Sequence, residues 1–249
     1  MPATKIISEL RKISADLALR CGALRFGGQV AEVYNPLIYA TIPHNQYLTL
    51  AGATKKKAVF LGMNPGPWGM AQTGVPFGEV AAVRDWLGIR AKVGKPDSEH
   101  PKRPIEGFAC TKSEVSGRRF WGLFRERFNT PAAFFRDHYV ANYCPLVFMG
   151  ESGANITPDQ LPAEEAAPLY ELCDRALADT INLLEPQWVI GIGIFAKKRI
   201  DLLKSNFFGG ETAPFTSARI LHPSPRSPKA NAGWDGEVIK TLKGLGIWQ

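Results

Sequence analysis

Three polar side chains stand at or just beyond the ends of short apolar runs, where an α/β protein would place its chemistry. Asn64 and His222 each follow such a run, and Asn142 lies near the end of a third. In open α/β sheets, ligands bind outside the carboxyl ends of the strands. The positions of these residues therefore predict one polar site that two carboxamides and an imidazole share.

The glycine-rich segments near these runs lack the residues of common nucleotide sites. Segment 62–70 is dense in glycine and proline but has no Lys-Ser/Thr ending of a phosphate-binding loop. Residues 191–193 begin a dinucleotide-like pattern, but Ala196 stands where the third glycine would be. Ser224 lies close to His222, yet the Gly-x-Ser-x-Gly elbow of the α/β hydrolases is missing. These patterns argue against phosphate-loop, nicotinamide and serine-hydrolase chemistry.

The acidic residues form no obvious pair for ordinary sugar hydrolysis. Glu164 with Glu165, and Asp235 with Glu237, lie in polar stretches that are typical of solvated helix faces. Glu79 follows a turn-like segment and has two interpretations: it reaches the site, or it is a helix-start residue favoured by the helix dipole. Neither arrangement resembles the two flanking carboxylates of a glycoside hydrolase.

The segment after the last apolar run is stiff and cationic. Prolines at positions 223, 225 and 228 fall within six residues, and Arg226 and Lys229 lie among them. A stiff, protruding, positively charged loop suits insertion into a nucleic-acid groove. The alternative is an ordinary surface turn in which His222 caps a strand end.

The remaining pattern predicts the elements that must position these side chains. Short apolar runs predict strands at 58–62, 139–143, 188–193 and 218–221. Helical spacing predicts helices at 6–24, 120–128, 164–184 and 195–203, whereas 34–47, which contains two prolines, predicts an ordered loop. Strands that alternate with helices indicate an α/β fold with a largely parallel sheet and helices on both faces, in a single domain over 1–249.

Composition restricts the class of protein further. The 249 residues are 45% hydrophobic and carry a net charge of +7, which suits a polyanionic partner. No run approaches the roughly 18 apolar residues of a membrane span, and charges interrupt the first twenty residues where a secretory signal would be apolar. We therefore expect no membrane association. The cysteines are scattered, so we expect reduced, mostly buried thiols, with a metal centre built from distant ligands as the alternative.

Six separated motifs together resemble one known family, the single-strand-selective monofunctional uracil-DNA glycosylases. The longest is GMNPGPWGMAQTGVPFGEV at 62–80. The others are VRDWLGI at 83–89, HPKRP at 100–104, SEVSG with RFW at 113–121, NYCPL at 142–146 and HPSPR at 222–226. They extend over essentially the whole chain, in the same order as in the family. The resemblance implies a three-layer α/β/α sandwich around a short, mainly parallel central sheet.

The resemblance also implies a role for each candidate residue in removing uracil from DNA. His222 would hydrogen-bond O2 of the leaving uracil, Asn64 would position the attacking water, and Asn142 would read the edge of the base. Phe77 would lie under the flipped base. The other members of the implied site are pocket-lining Met63, Gly66 and Met70, and DNA-contacting Pro225, Arg226, Ser227, Pro228 and Lys229.

Two positions refine this expectation: Asn64, which is normal for the resembled family, and Trp68, which is not. Asn64 stands where the better-known branch of the superfamily has Asp, so it can orient water but cannot act as a strong base, which implies a dissociative mechanism. Trp68 stands where the family more often has Phe, which leaves the finer substrate range open. The motifs contain no suitably placed lysine, which favours a monofunctional enzyme that hydrolyses without cutting the strand.

The sequence thus predicts a base-excision-repair enzyme that acts on uracil, and by resemblance on 5-hydroxymethyluracil, in single- and double-stranded DNA. No metal and no cofactor is expected. We expect a monomer, in the nucleus of a eukaryotic cell or in the cytoplasm and nucleoid of a bacterial one. The alternative is a non-catalytic protein that binds damaged or single-stranded DNA.

Overall fold

A computed structural model of the chain describes residues 2–249. The strands are β1 (Glu32–Tyr34), β2 (Ala58–Gly62), β3 (His138–Asn142), β4 (Val147–Met149), β5 (Asn155–Ile156), β6 (Trp188–Ile192) and β7 (Thr216–Ile220). The longer helices are α1 (Ala3–Gly22), α3 (Thr41–Ala51), α5 (Val115–Phe128), α7 (Ala163–Leu184), α8 (Ile194–Phe207) and α9 (Pro228–Gly244). Three shorter helices are α2 (Pro36–Tyr39), α4 (Met70–Thr73) and α6 (Pro131–Asp137).

The central sheet is parallel throughout, with strand order β3-β2-β6-β7. Its two central strands, β2 and β6, are short and almost fully buried, because helices cover both faces. Successive residues of β6 face opposite layers: Val189 packs among the side chains of α7 and α8, whereas Ile190 packs with those of α5 and α9. The predicted α/β/α sandwich is therefore confirmed.

The four strands and four helices predicted from the sequence are all present, with shifted ends. The largest shift is in α5, which begins five residues before the predicted start at 120. The stiff loop predicted after His222 is wrong in its second half, at Pro228 and Lys229, because α9 begins at Pro228 with Ser227 as its N-cap. Proline is well suited to this first helical position, where its missing N–H would have had no partner.

The interpretation of 34–47 as a loop is wrong. Asn35 separates the end of β1 from α2, and Pro36 is the first residue of that helix. Pro43 lies in the first turn of α3, where amides have no partner within the helix, so proline does not interrupt the hydrogen bonding. The three-stranded antiparallel sheet β1-β4-β5 was also not predicted, because its strands are only two or three residues long.

All four cysteines, at positions 21, 110, 144 and 173, are buried and free, as expected. None of the helices within residues 2–249 is long and apolar enough to cross a bilayer.

Candidate active site

The parallel register brings the two carboxamides to one edge of the sheet. Gly62 lies opposite Asn142 in the β2–β3 pair. The pairing continues past the strands, because Tyr143 donates its amide to the Gly62 carbonyl (3.0 Å) and Cys144 donates to the Met63 carbonyl (2.8 Å). The segment that carries Asn64 is thus fixed beside Asn142.

An open cleft of about 610 Å³ lies at this edge and collects most of the predicted residues. It is lined by Met63, Asn64, Gly66, Phe77, Asn142, His222, Pro225 and Arg226. Met70 lies behind Asn142, on an adjoining apolar cavity. Lys229 lines a neighbouring cleft that also reaches His222, while Ser227 and Pro228 begin α9. The structure therefore brings the three polar residues together and spreads the predicted DNA-contacting residues along one rim.

Asn64 is held so that its oxygen is free to act as an acceptor. Its Nδ2 donates to the Leu146 carbonyl (3.2 Å), which fixes the orientation of the amide. An amide has no proton affinity near neutral pH, so this side chain can orient a water molecule through Oδ1 but cannot take its proton.

His222 is a neutral hydrogen-bond donor in this environment. Its Nδ1 accepts the amide of Ser224 (3.1 Å), so the proton of the neutral ring lies on Nε2. Burial lowers the pKa of His222 to about 4, because the charged form of the ring would lose the stabilisation of water. At neutral pH the ring therefore presents an uncharged N–H to the cleft. Gly193 has a φ of 93°, and a Cβ added there would lie 3.3 Å from Cβ of His222 and 3.6 Å from Cδ2 of its ring.

Asn142 is oriented by a thioether. Its Nδ2 lies 3.2 Å from the Met70 sulfur, a weak acceptor, while Oδ1 lies over Gly62. A Cβ on Gly62 would lie 2.7 Å from the ring of Phe77 and would also overlap Oδ1 of Asn142. The lack of a side chain at Gly62 thus allows the amide oxygen and the aromatic ring to approach each other.

Phe77 has a strained backbone conformation, and neighbouring aromatic residues of α5 hold it in place. Its φ is +53°, which is rare for a bulky non-glycine residue and costs about 1–3 kcal/mol of backbone strain. The ring stacks on Phe120 with centroids 4.5 Å apart and an interplanar angle of 18°. The preceding turn is tied down by Trp121, whose indole N–H donates to the Pro76 carbonyl (3.2 Å). The centroid of His222 lies 6.3 Å from that of Phe77.

The loop after His222 is braced from α5. Arg119 donates to the Pro223 carbonyl (3.2 Å) and to Oδ1 of Asn231 (2.9 Å). Asn231 in turn donates to the Pro225 carbonyl (2.9 Å). Arg226, at the tip, is exposed. A rigid support therefore carries a solvent-facing cation.

The structure supports the second interpretation of Glu79, as a residue just before a short helical segment, Ala82–Trp86. One carboxylate oxygen accepts the amide of Ala82 (2.9 Å), and the other accepts the Ser113 hydroxyl (2.9 Å). Both oxygens are thus engaged away from the cleft. Within residues 2–249, no group of three or more His, Cys, Asp or Glu side chains is arranged to hold a metal ion.

Comparisons with known proteins agree with this geometry. The family model of the uracil DNA glycosylase superfamily matches residues 51–243. The single-strand selective monofunctional uracil-DNA glycosylase of Rattus norvegicus is 46% identical over 245 residues, which are 98% of this chain and 85% of that protein. Its counterpart in Bos taurus is 48% identical over 225 residues, covering 90% of this chain and 81% of that protein.

This chain belongs to the uracil-DNA glycosylase superfamily, in its single-strand-selective monofunctional family. A solved structure has a similar fold. The crystal structure of Pedobacter heparinus SMUG2 superposes with a TM-score of 0.62 at 15% identity, covering 95% of this chain and 99% of that chain. The family prediction made from the sequence motifs is therefore confirmed.

Trp68, the departure from the family pattern, lines the cleft as an outer wall. The guanidinium of Arg103 lies over its indole, 4.9 Å from the ring centroid. A cation over an indole face is a favourable contact, so the larger ring is held in place by a partner from another motif of this glycosylase family.

Two residues of the site were quoted within motifs but given no role by sequence reasoning. Arg119 braces the loop after His222, and Glu114 lies at the wall of the cleft beside Gly66. The sequence offers a signal for neither, because an arginine on a helix and an acidic residue just before a helix are both common without any function.

Proposed function

We propose that this protein is a monofunctional DNA glycosylase that hydrolyses the N-glycosidic bond of uracil in DNA during base-excision repair. Membership in the superfamily supports this activity. The chemical observation that carries the proposal is the half-buried, neutral His222. Its Nε2–H faces the same cleft as a water-orienting carboxamide and an aromatic platform.

The leaving group is the difficult part of the reaction. Departure of uracil places negative charge on the base and oxocarbenium character on the sugar. A neutral imidazole N–H stabilises the developing charge at O2 as an oxyanion-type donor and does not need to transfer its proton. The low pKa of His222 keeps the ring in this state throughout the neutral range.

Asn64 supports a mechanism in which the glycosidic bond breaks before water attacks. Its Oδ1 can accept a hydrogen bond from the water, but it cannot generate hydroxide. The cation at C1′ is itself a strong electrophile, so an oriented neutral water suffices. Stabilisation of the leaving base therefore dominates the rate.

Asn142 provides base selectivity through both ends of its amide. Oδ1 would accept N3–H of uracil, and Nδ2 would donate to O4 in place of its contact with Met70. Cytosine presents an acceptor at N3 and a donor at its 4-amino group, which opposes both hydrogen bonds. The stacked pair of Phe77 and Phe120 supplies a flat apolar surface for the ring.

DNA binding is attributed to the charge of the chain and to the loop at the rim. A net charge of +7 favours phosphate contacts. Arg226 is exposed on a braced loop beside the cleft, where it could fill the gap that a flipped nucleotide leaves in a duplex. Among the residues of 2–249 that line the cleft, none is lysine, which supports hydrolysis without strand cleavage.

The proposal extends to 5-hydroxymethyluracil as a second substrate and to both single- and double-stranded DNA. It also includes a single domain over 1–249 acting as a monomer, in the nucleus or in the bacterial cytoplasm and nucleoid. These points derive from the family resemblance, and each needs its own measurement.

A direct assay tests the activity. The protein is incubated with oligonucleotides that carry uracil, 5-hydroxymethyluracil, cytosine or thymine, and the products are heated in alkali to reveal abasic sites. We expect cleavage only for the first two, and only after alkali. Binding of uracil-containing DNA without any abasic product would instead identify a damage-binding protein that lacks catalysis.

A further inference from the structure

Glu114 occupies a helix N-cap position without capping the helix. It precedes the first residue of α5, but its side chain accepts no hydrogen bond from the amides there. Its carboxyl group instead packs against the turn formed by Gly66–Gly69. A Cβ on Gly66 would lie 2.6 Å from Cδ of Glu114, and a Cβ on Gly69 would lie 2.7 Å from it. The two glycines therefore leave the space that this carboxyl group fills.

One carboxyl oxygen of Glu114 is buried without a hydrogen-bond partner. The residue as a whole is partly exposed, but Oε2 is inaccessible to solvent and unpaired among residues 2–249. Leaving a buried polar atom in this state is unfavourable, and more so if the atom carries charge. The same residue lines the cleft that holds Asn64, Phe77 and His222. Such an arrangement indicates a role in the site rather than in the stability of the fold.

The surroundings of Glu114 favour its uncharged form. Burial raises the pKa of Glu114 to about 7, the nearby Glu79 raises it further, and the amide of Gly69 lowers it. The other charged and titratable groups of the cleft are Asp159, Arg226 and His222, which belong to other segments of its wall.

We propose that Glu114 is a positioning residue whose carboxyl group holds the Gly66–Gly69 turn, and with it Asn64, in the geometry needed for base excision. The inference rests on the proposed glycosylase function. The turn is closed by its own backbone, since the Gly66 carbonyl accepts the amides of Gly69 (3.3 Å) and Ala71 (3.2 Å). Glu114 is the side chain that packs against this backbone at both glycines.

Ionisation of Glu114 disfavours both the turn and the reaction. It places an unsolvated negative charge near Glu79 and on the wall of the cleft where uracil leaves as an anion. The pKa of Glu114 is raised above that of an unfolded glutamic acid, so the neutral form is favoured in the folded state. The stability that this provides is complete below the unfolded pKa, and it is lost as the pH rises through about 7.

The experiment compares Glu114→Gln, which keeps the shape and cannot ionise, with Glu114→Ala. Glu171→Gln, an exposed residue on α7, is the matched control. Single-turnover excision of uracil from single-stranded DNA is measured from about pH 5.5 to about pH 8.5. Amide hydrogen exchange at Gly69 and the thermal midpoint are measured on the same samples.

We expect the wild-type rate to fall as the pH rises through about 7, and Glu114→Gln to keep the acidic rate and remove this fall. Glu114→Ala should lose about 10²-fold in the maximal single-turnover rate, with little change in the protein concentration that gives half of that rate, because the reacting groups are misplaced. The Gly69 amide should exchange faster in the Ala variant only. Two results would overturn the inference. One is a loss of excision rate in the Gln variant equal to that in the Ala variant, and the other is a loss of less than about threefold in the Ala variant.

These outcomes are separable from failure of the proposed function. If the wild-type protein removes no uracil, the glycosylase proposal fails, and the exchange rates alone then decide the role of Glu114. Faster exchange at Gly69 in the Ala variant and normal exchange in the Gln variant support a carboxyl group that holds the turn. Equal exchange in all variants refutes it.

Discussion

His222 makes two separable hydrogen bonds, and two variants can remove them one at a time. Nδ1 accepts the Ser224 amide, and the Nε2–H faces the cleft. In His222→Asn, the side-chain oxygen can replace Nδ1, but the donor at Nε2 is lost. In His222→Gln, the amide nitrogen can reach the position of Nε2, but the acceptor for Ser224 is lost.

The expected losses follow from these contacts. Removing one oxyanion-type donor costs about 10²–10³ in kcat, so His222→Asn should fall by this factor with near-normal stability. His222→Gln should recover part of that loss, while the unpaired Ser224 amide destabilises the fold by about 1–3 kcal/mol. DNA binding should change little in either variant, because phosphate contacts dominate it.

The assay is single-turnover excision of uracil from single-stranded DNA, with thermal unfolding as the control for folding. His222→Ala, which lacks both groups, should lose about as much rate as the Asn variant and as much stability as the Gln variant. If His222→Asn retains more than about a third of the wild-type rate, His222 is not the group that stabilises the leaving base.

The other predictions concern base reading, stacking and the rim loop. Asn142→Asp loses the donor to O4, so uracil excision should collapse, with at most weak cytosine excision; undiminished uracil excision would mean that the edge is read elsewhere. Phe77→Ala should weaken productive binding by about 1–3 kcal/mol in a KM comparison, and a loss below about 0.3 kcal/mol would assign the ring to the core. Arg226→Ala should lose much more activity on a U·A duplex than on single strands, whereas equal losses at matched salt would indicate a plain phosphate contact. Arg119→Met, which releases Pro223 and Asn231, should show the same duplex-selective loss, and equal losses on both substrates would argue against a bracing role.

Local patterns determined most of the fold. Apolar runs bounded by proline and glycine identified all four strands of the parallel sheet, because a buried strand needs a continuous apolar segment. The three-residue strands β1 and β4 were missed, since their pairing depends on partners far along the chain. Pro36 and Pro43 were misinterpreted as breakers, because a proline in the first turn of a helix cannot be told from one in a loop without the helix itself.

The sequence by itself placed Asn64, Asn142 and His222 at one edge, since parallel strands end on the same side, and its motifs identified the family. Only the tertiary structure decided the chemical state of these groups. The neutral form of His222 depends on burial, its tautomer depends on the Ser224 amide, and the direction of the Asn142 amide depends on Met70. The role of Glu114 depends on Gly66 and Gly69, more than 40 positions away along the chain. A protonation state, or a buried oxygen without a hydrogen-bond partner, depends on all the groups packed around it. Those groups come together only once the chain has folded.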